Sequence, residues 1–333
     1  MWKAVEAADE YAALDLVAQA LEAGLDAETV LLEMIGPVQQ RVGTEWAANR
    51  MSVADEHAAT AINDRAISAL PRPPRTGRTL GRVTVACVDG EWHALPARLL
   101  AETLRLRGWQ VDYLGAHVPG PHLVAHIHRT GPDTVALSSS LPTRLPTAHA
   151  AITACQGAGV PVMAGGAAFG PDGRYARLLG ADAWAPDARA AAERLLHRPP
   201  ARPRRDHRPG DDLPHLKDQE YTLVARAHRQ LVRAVFHGLE ERFPAMREYR
   251  EAQRERTAED IDHIVGFLVA ALYVDDPLLF TGFLTWTAEI LTARGVPARS
   301  LPPALDLLEE QLRDFPRTSA LLRDGRAALL TCS

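Results

Sequence analysis

The spacing of apolar residues divides the chain into three parts, of which the first spans residues 1–70. Apolar residues recur there at about every third or fourth position, as in Val5, Leu14, Val17 and Leu21, and this period is typical of amphipathic helices. Short helices of this kind bury their apolar faces by packing against one another. The first part is therefore predicted to be a four-helix bundle.

Short apolar runs alternate with amphipathic segments in the second part, residues 82–197. The runs predict β-strands at Arg82–Val88, Gln110–Ala116, Thr134–Ser140, Val160–Ala164 and Ala183–Pro186. Helices are predicted between them at Ala97–Arg107, His122–Arg129, Thr147–Gln156 and Arg174–Leu179. Strands that alternate with helices form a doubly wound parallel sheet, and ligands bind at the carboxyl ends of its strands.

Helical periodicity returns in the third part, residues 213–333, which is predicted to be all-α. Its helices are predicted at Lys217–Arg242, Ala258–Val274, Pro277–Arg294, Pro303–Asp314 and Thr318–Leu330. Two segments rich in proline, glycine and charge, Pro71–Gly81 and Arg198–Pro214, separate the three parts and are predicted to be extended linkers. The fold class is therefore multidomain, α and α/β.

The composition is that of an ordinary soluble protein, with 47% apolar and 24% charged residues. The net charge of −5 argues against nucleic acid as the main partner. No apolar run reaches the roughly 18 residues of a membrane span, and Met1–Asp9 lacks the basic, apolar character of a signal peptide. We therefore expect a cytoplasmic protein that does not bind a membrane.

The loop after the first predicted strand contains Glu91 and His93, at the edge of the sheet where ligands bind. A histidine there can direct one imidazole nitrogen out of the sheet towards a metal. A carboxylate two residues earlier can hold the other nitrogen, which fixes the tautomer and raises the basicity of the ligand. The alternative interpretation is an ordinary surface histidine.

Small residues end the third and fourth predicted strands, and they leave room for a long, narrow ligand whose polar groups the hydroxyls can bind. These residues are Ser138, Ser139, Ser140, Leu141, Gly165 and Gly166. This part of the chain resembles the cobalamin-binding domain of methionine synthase, corrinoid methyl carriers and B12-dependent mutases. The residues that carry the resemblance are Glu91, His93, Ser139, Leu141 and the Gly165–Gly166 pair.

This resemblance implies a flavodoxin-like, doubly wound fold in which His93 replaces dimethylbenzimidazole as the lower ligand of cobalt. The displaced nucleotide tail would lie in the groove lined by the serines and glycines. Two residues depart from the usual pattern: Glu91 stands where aspartate is commoner, and Pro96 stands where glycine is usual.

The first part carries a second motif, in which Trp46 is followed after nine residues by Glu56 and His57. It resembles the cap of light-sensing adenosylcobalamin proteins. The resemblance fits the chemistry of adenosine: Trp46 offers a flat face to adenine, Glu56 can accept hydrogen bonds from ribose hydroxyls, and Val53 can close the apolar side.

Ala47 follows the tryptophan where this family often has a histidine that ligates cobalt after photolysis, so His57 is the nearest candidate for that role. The alternative interpretation makes Trp46 a core residue and Glu56–His57 a solvated first helical turn.

The stretch Thr257–Trp286 resembles globin-like sensor domains, and a cobalamin domain followed by such a module resembles the photocobilins, which combine B12 with a bilin. This implies a globin-like domain that binds biliverdin or a related bilin. The candidate residues are Asp262, His263, Tyr273 and Trp286. Asp262 and His263 adjoin an apolar helix face and are expected to need partners there, because unpaired burial is costly. The alternatives are a haem-binding domain and a plain helical dimerisation domain.

The sequence thus predicts a non-enzymatic photoreceptor that binds adenosylcobalamin through its cobalt, with a bilin as a second chromophore. The main alternative is a corrinoid methyl carrier of a methyltransferase system. Because the chain starts directly with the cap and shows no helix-turn-helix signature, direct DNA binding is not expected. Signalling is expected to pass through a homo-oligomer, such as a dimer, or through an unidentified downstream partner.

Overall fold

The structure is a computed structural model that describes residues 1–71, 79–201 and 213–331. Most of both predicted linkers, residues 72–78 and 202–212, therefore lies outside the described residues. The chain divides into two compact units, residues 1–211 and 212–333. The predicted helical bundle and the predicted α/β part together make up the first unit.

The amino-terminal part is helical, as predicted. Its α-helices are α1 (Trp2–Glu6), α2 (Glu10–Glu22), α3 (Ala27–Thr29), α4 (Gly36–Ala47) and α5 (Val53–Ser68). A π-helical stretch, Val30–Ile35, connects α3 to α4, so that residues 27–47 form one continuous helical segment. Helix α5 begins with a capping box in which Ser52 and Asp55 satisfy each other's backbone N–H groups. We call residues 1–70 the cap.

Five parallel strands follow the cap, in the order β2-β1-β3-β4-β5. They are β1 (Arg82–Cys87), β2 (Gln110–Gly115), β3 (Thr134–Ser138), β4 (Val162–Gly165) and β5 (Ala183–Ala185). The accompanying helices are α6 (Leu95–Leu106), α7 (Gly120–Thr130), α8 (Leu145–Gly157), α9 (Arg174–Leu178) and α10 (Ala188–His197). The predicted doubly wound sheet is therefore confirmed, and its strand order is that of the flavodoxin-like fold, with a switch point between β1 and β3.

The predicted strand over Thr134–Ser140 is two residues too long at its carboxyl end. Strand β3 ends at Ser138. The backbone N–H of Ser139 still donates to the carbonyl oxygen of Gly165 at 3.1 Å, whereas its hydroxyl contacts Glu91. The backbone N–H of Ser140 donates to the Glu91 carboxylate at 2.6 Å instead of continuing the ladder.

Helix α6 connects the cap to the sheet. Leu95 at its start belongs to the same buried apolar cluster as Val30, Leu31 and Ile35 of the cap. At its other end, the guanidinium of Arg107 donates two hydrogen bonds to the Glu28 carboxylate, at 2.7 and 2.9 Å. The cap is thus joined to α6 by buried apolar contacts and by ion pairing.

The second unit is helical, as predicted. Its α-helices are α11 (Glu220–Arg242), α12 (Glu251–Val274), α13 (Pro277–Ala293), α14 (Pro302–Gln311) and α15 (Pro316–Thr331). Close helix packing requires glycine in α15, since a Cβ at Gly325 would lie 2.6 Å from Leu284 and 2.9 Å from Phe280. Across the residues that the structure describes, no helix combines the length and apolar character of a membrane span.

Candidate functional site

Glu91 and His93 contact each other directly in the loop between β1 and α6. His93 Nδ1 lies 2.6 Å from Glu91 Oε1, and the backbone N–H of His93 donates to the same oxygen at 2.9 Å. Glu91 is fully buried, whereas the His93 side chain is 57% exposed. The ring is therefore held from its inner side. Its outer nitrogen, Nε2, makes no hydrogen bond within the described parts of the chain.

The second oxygen of Glu91 binds the loop that follows β3. Glu91 Oε2 accepts hydrogen bonds from the Ser139 hydroxyl at 3.1 Å and from the backbone N–H groups of Ser140 at 2.6 Å and Leu141 at 3.1 Å. Burial alone would raise the pKa of Glu91. Hydrogen bonds from His93, Ser140 and Leu141 outweigh burial and lower the pKa from its ordinary 4.5 to about 2. Glu91 is therefore a stable buried carboxylate.

The electrostatic surroundings favour a basic imidazole at His93. The hydrogen bond to Glu91 raises the pKa of His93 above its ordinary value, burial opposes this rise, and the charges of Glu91 and Glu56 add to it. Glu56 belongs to the cap, so the cap motif and His93 lie within electrostatic reach of each other. The charge of a cap residue 37 positions earlier in the sequence therefore acts on the His93 ring.

The glycines after β4 allow close approach between neighbouring loops. Gly166 has a φ of +100°, and a Cβ there would lie 2.2 Å from the carbonyl oxygen of Ser139. No other residue fits this position without moving the Ser139 loop. Gly165 is the last residue of β4 and, like Ser138, stands at the carboxyl edge of the sheet.

The serines expected to line the groove differ in accessibility. Ser139 is fully buried and its hydroxyl donates to Glu91, so it acts on the site by holding that carboxylate. Ser138 is also buried, whereas Ser140 and Leu141 are partly exposed. Of the predicted groove residues, Ser140, Leu141, Gly165 and Gly166 present accessible surface.

The cap residues singled out from the sequence lie on α4, on α5 and at the junction between them. Trp46 is half-buried near the end of α4, and Val53, at the start of α5, is 58% exposed. Glu56 is partly buried, whereas the side chain of His57 is 76% exposed and its Nε2 lies 3.8 Å from Glu56 Oε2. His57 is thus the most accessible of the four.

A chain of hydrogen bonds holds Glu56 from inside the cap. The Thr60 hydroxyl donates to Glu56 Oε1 at 2.9 Å, and Gln39 Nε2 donates to Thr60 Oγ1 at 2.9 Å. Asn63 Nδ2 in turn donates to Gln39 Oε1 at 2.7 Å. The chain fixes one carboxylate oxygen of Glu56 and leaves Oε2 directed away from it, beside His57.

In the second unit, the structure decides between burial and exposure of Asp262 and His263, which helical phase leaves open. Both are exposed, because α12 turns Ile261, Ile264 and Val265 into the core and leaves these two positions outside it. Asp262 Oδ1 pairs with His228 Nε2 of α11 at 2.7 Å. Asp262 therefore has a protein partner and does not require a ligand to satisfy it.

Tyr273 does not lie beside Asp262 and His263, the other predicted bilin-site residues of α12. Asp262 and His263 line an open cavity of about 600 Å³ together with Val232, Ala258 and Glu259. Tyr273 lies eleven residues further along α12, about 16 Å at the helical rise, and its ring contacts Tyr221. Trp286 of α13 lies beside Phe283. Helical periodicity predicts these helices correctly, but it does not determine which side chains share a cavity.

Several residues of the first unit were not singled out from the sequence. Thr60 is one helical turn from Glu56, and this spacing is a usable signal. No spacing in the sequence indicates the position of Arg144. Its guanidinium passes over Gly90, which has a φ of +79°, and a Cβ at Gly90 would lie 2.9 Å from Arg144 Nη1. His117, from the loop after β2, contacts the loop that carries His93.

The residues present fit a cobalt corrinoid bound through an imidazole. His93 offers an accessible nitrogen whose ring is oriented by a carboxylate, which is the arrangement that metal-binding histidines require. The neighbouring thiol does not compete, because burial raises the pKa of Cys87 to about 12 and keeps it protonated. The site also lies at the β1/β3 switch point, where this fold binds its ligands.

Comparison with known proteins agrees with this geometry. Residues 81–196 match the family model described as B12 binding domain, and residues 1–70 match a second model of the same description. The HTH-type transcriptional repressor CarH of Myxococcus xanthus is 30% identical over 174 residues, which are 50% of this chain and 56% of the repressor. The chain thus spans little more than half the length of that relative.

Corrinoid proteins are also similar to this chain. Trimethylamine corrinoid protein 1 of Methanosarcina mazei is 24% identical over 189 residues, 54% of this chain and 86% of that protein. The solved structure of the Methanosarcina barkeri monomethylamine corrinoid protein shares the fold, with a TM-score of 0.51 and 20% identity over 59% of this chain and 94% of that chain. Two consecutive segments, residues 1–70 and 81–196, thus each match a B12 binding domain, and these matches support a cobalamin cofactor in the first unit.

Proposed function

We propose that the protein is a light-sensing signalling protein, not an enzyme, that binds adenosylcobalamin with His93 as the lower ligand of cobalt. The observation that carries the proposal is the pairing of two sites in one unit. A carboxylate-oriented histidine lies at the sheet edge, and a tethered carboxylate, Glu56, lies in the cap within electrostatic reach of it.

Each residue has a defined task in this proposal. Glu91 orients the imidazole of His93 and keeps its Nε2 free for cobalt. Trp46 stacks on adenine, Val53 covers its apolar edge, and Glu56 accepts hydrogen bonds from the ribose through the oxygen that Thr60 does not use. Ser140, Leu141, Gly165 and Gly166 line the path of the nucleotide tail. These tasks agree with the resemblance of the cap motif to light-sensing adenosylcobalamin proteins.

Bound adenosylcobalamin supplies a Co–C bond that green light breaks. Trp46 and Glu56 then have no adenosine to hold, and only the cap's own contacts, such as Arg107 with Glu28, keep it on α6. A looser cap is the proposed signal. The looser cap would change the oligomeric state of a homodimer or the binding of a downstream partner. His57 is the candidate upper ligand after photolysis.

The test is an absorption spectrum and a size-exclusion profile of the purified protein with adenosylcobalamin, before and after green light. We expect a light-induced spectral change and a change in elution. Trp46→Ala should lower the affinity for adenosylcobalamin about tenfold, as expected for losing an aromatic stack, and leave the affinity for methylcobalamin unchanged.

The alternative is a corrinoid methyl carrier, which the similarity to the trimethylamine corrinoid protein favours. Methylcobalamin has no adenosyl group to recognise. A methyl carrier should therefore bind both cobalamins with equal affinity, and Trp46→Ala should change neither affinity. Equal affinities together with methyl transfer to a thiol or folate acceptor would establish the carrier and remove the photoreceptor.

A second chromophore is proposed for the second unit, namely biliverdin or a related bilin held without a covalent link. The support is the cavity of about 600 Å³, in which Glu259 and Asp262 can accept from pyrrole N–H groups and His263 can pair with a propionate. A globin-like arrangement of α11–α15 remains a prediction from the sequence resemblance.

A further inference from the structure

His117 stands in the loop between β2 and α7 and contacts three consecutive residues of the loop that carries His93. Its backbone N–H donates to the carbonyl oxygen of Glu91 at 2.8 Å. The backbone N–H of Gly90 points to its Nδ1 at 2.9 Å. Its ring stacks on the indole of Trp92, with centroids 4.8 Å apart and planes 11° apart. Residues 90, 91 and 92 are thus all tied to one side chain and its backbone.

The backbone of His117 is held in a costly conformation. Its φ is +48°, in the left-handed region that residues other than glycine rarely adopt. Such a conformation costs about 1 kcal/mol or more and persists only where surrounding contacts fix it. The three contacts to residues 90–92 are the contacts available to do so. The strained position and the loop of His93 therefore stabilise each other.

Asp89 is a further partner of His117 in this loop. His117 Nδ1 lies 2.9 Å from the Gly90 nitrogen and 3.1 Å from Asp89 Oδ1. Both partners belong to the loop that carries His93, so the His117 ring also contacts residues 89 and 90.

We propose that His117 is a positioning residue, which fixes the loop of residues 89–93 and thereby the direction of the His93 imidazole. Glu91 carries two constraints in this arrangement. Its carboxylate is held by the loop after β3, and its backbone carbonyl is held by the loop after β2. His93 therefore sits on a loop that is clamped from both neighbouring strands. The proposal rests on the proposed ligation of cobalt by His93.

The experiment compares variants of the full chain with methylcobalamin in the dark, by absorption spectrum and by affinity. His117→Ala removes the ring contacts and should lower the affinity about tenfold and increase the fraction with cobalt not bound to histidine. His117→Asn keeps a side-chain acceptor and tolerates the left-handed backbone, so it should recover part of the histidine-bound spectrum. His128→Ala is the matched control, because this histidine of α7 is exposed and forms no hydrogen bond or ion pair with residues 89–93 in the described parts of the chain, so it should behave as the wild type.

Trp92→Ala provides a second variant, since Trp92 is 69% exposed and its loss leaves the core intact. It should shift the spectrum in the same direction, and combining it with His117→Ala should add less than the sum of the two effects. An unchanged spectrum and affinity in His117→Ala, together with a clear loss in His93→Ala, would overturn the positioning role of His117. The proposed ligation of cobalt by His93 would then still hold. An unchanged spectrum in His93→Ala would overturn the ligation and the clamp together.

Discussion

A single buried carboxylate connects the two strand-end loops of the cobalamin site. Glu91 is fully removed from solvent, and a buried charge is tolerated only when hydrogen bonds replace the lost water. Three backbone N–H groups, one hydroxyl and one imidazole supply these bonds. The same bonds that stabilise the charge also hold His93 and the Ser139 loop in place. The stability of the fold and the geometry of the site therefore depend on one side chain.

This dependence predicts how the stability of the cobalamin-free protein changes with pH. The pKa of Glu91 is lowered from 4.5 to about 2 in the folded protein, so its charge stabilises the fold above pH 4.5 and this contribution disappears as the pH falls towards 2. The full loss is about 3 kcal/mol, of which about 2 kcal/mol should be lost between pH 6 and pH 3. The pKa of His93 is 6.5 in the unfolded chain and raised in the folded protein, so the ring is protonated in both states below pH 4.5 and adds little there.

Urea unfolding of the wild type and of Glu91→Gln between pH 6 and pH 3 measures this contribution. The wild type should be the more stable protein at pH 6, and the difference in unfolding free energy should shrink as the pH falls. A difference that stays constant with pH would show that Glu91 is not the titrating group.

At the scale of secondary-structure elements, the sequence predicts the strands and helices well, because their apolar periodicity follows directly from burial on the sheet and in the bundle. It predicts their ends less well. The run Thr134–Ser140 looks like one strand, yet Ser140 leaves the ladder for a carboxylate 49 residues away in sequence, to which the Ser139 hydroxyl also donates. No local pattern reveals such a partner. The phase of α12 was also undetermined, since Asp262 and His263 border the apolar face and only tertiary packing places them outside it.

Helices α4 and α5 of the cap act together through the hydrogen bonds of Thr60. Its hydroxyl accepts from Gln39 of α4 and donates to Glu56 of α5. Thr60→Val keeps the shape and removes both bonds, so Glu56 loses the contact that fixes one of its oxygens. We expect the affinity for adenosylcobalamin to fall about fivefold, or about 1 kcal/mol, because the lost bond acts on adenosine only through Glu56, with no change for methylcobalamin.

Thr44→Val is the control for this prediction. The Thr44 hydroxyl of α4 donates only to the Gln40 carbonyl of its own helix and does not touch Glu56. It should bind both cobalamins as the wild type does. An equal loss for the two cobalamins in Thr60→Val would indicate general damage to the cap and would contradict a role in adenosine recognition.

At the scale of the whole molecule, both matches to B12 binding domains lie in the first unit, and the second unit is a separate compact helical body. The second unit holds the open cavity lined by Ala258, Asp262 and His263, with Val232 and Glu259. The pairing of Asp262 with His228 removes the argument that a ligand is needed there. The remaining support for a second chromophore is the cavity of about 600 Å³, whose polar lining residues could bind an open-chain tetrapyrrole. Whether a bilin binds in this cavity is therefore the property to test.

Blocking this cavity tests the bilin directly. Biliverdin added to the full chain should give a red-shifted, ordered absorption band. Ala258→Leu places a larger side chain in the cavity and should weaken biliverdin binding at least fivefold, because overfilled sites lose contact with their ligand. Ala252→Leu is the matched control, since Ala252 is exposed on the same helix and does not line the cavity. If the biliverdin absorption band persists in Ala258→Leu but is lost in Trp286→Ala, the bilin binds beside Trp286 of α13 and not in this cavity. If the folded chain takes up neither biliverdin nor haem, the second unit is an interaction domain, and its dimerisation becomes the property to measure.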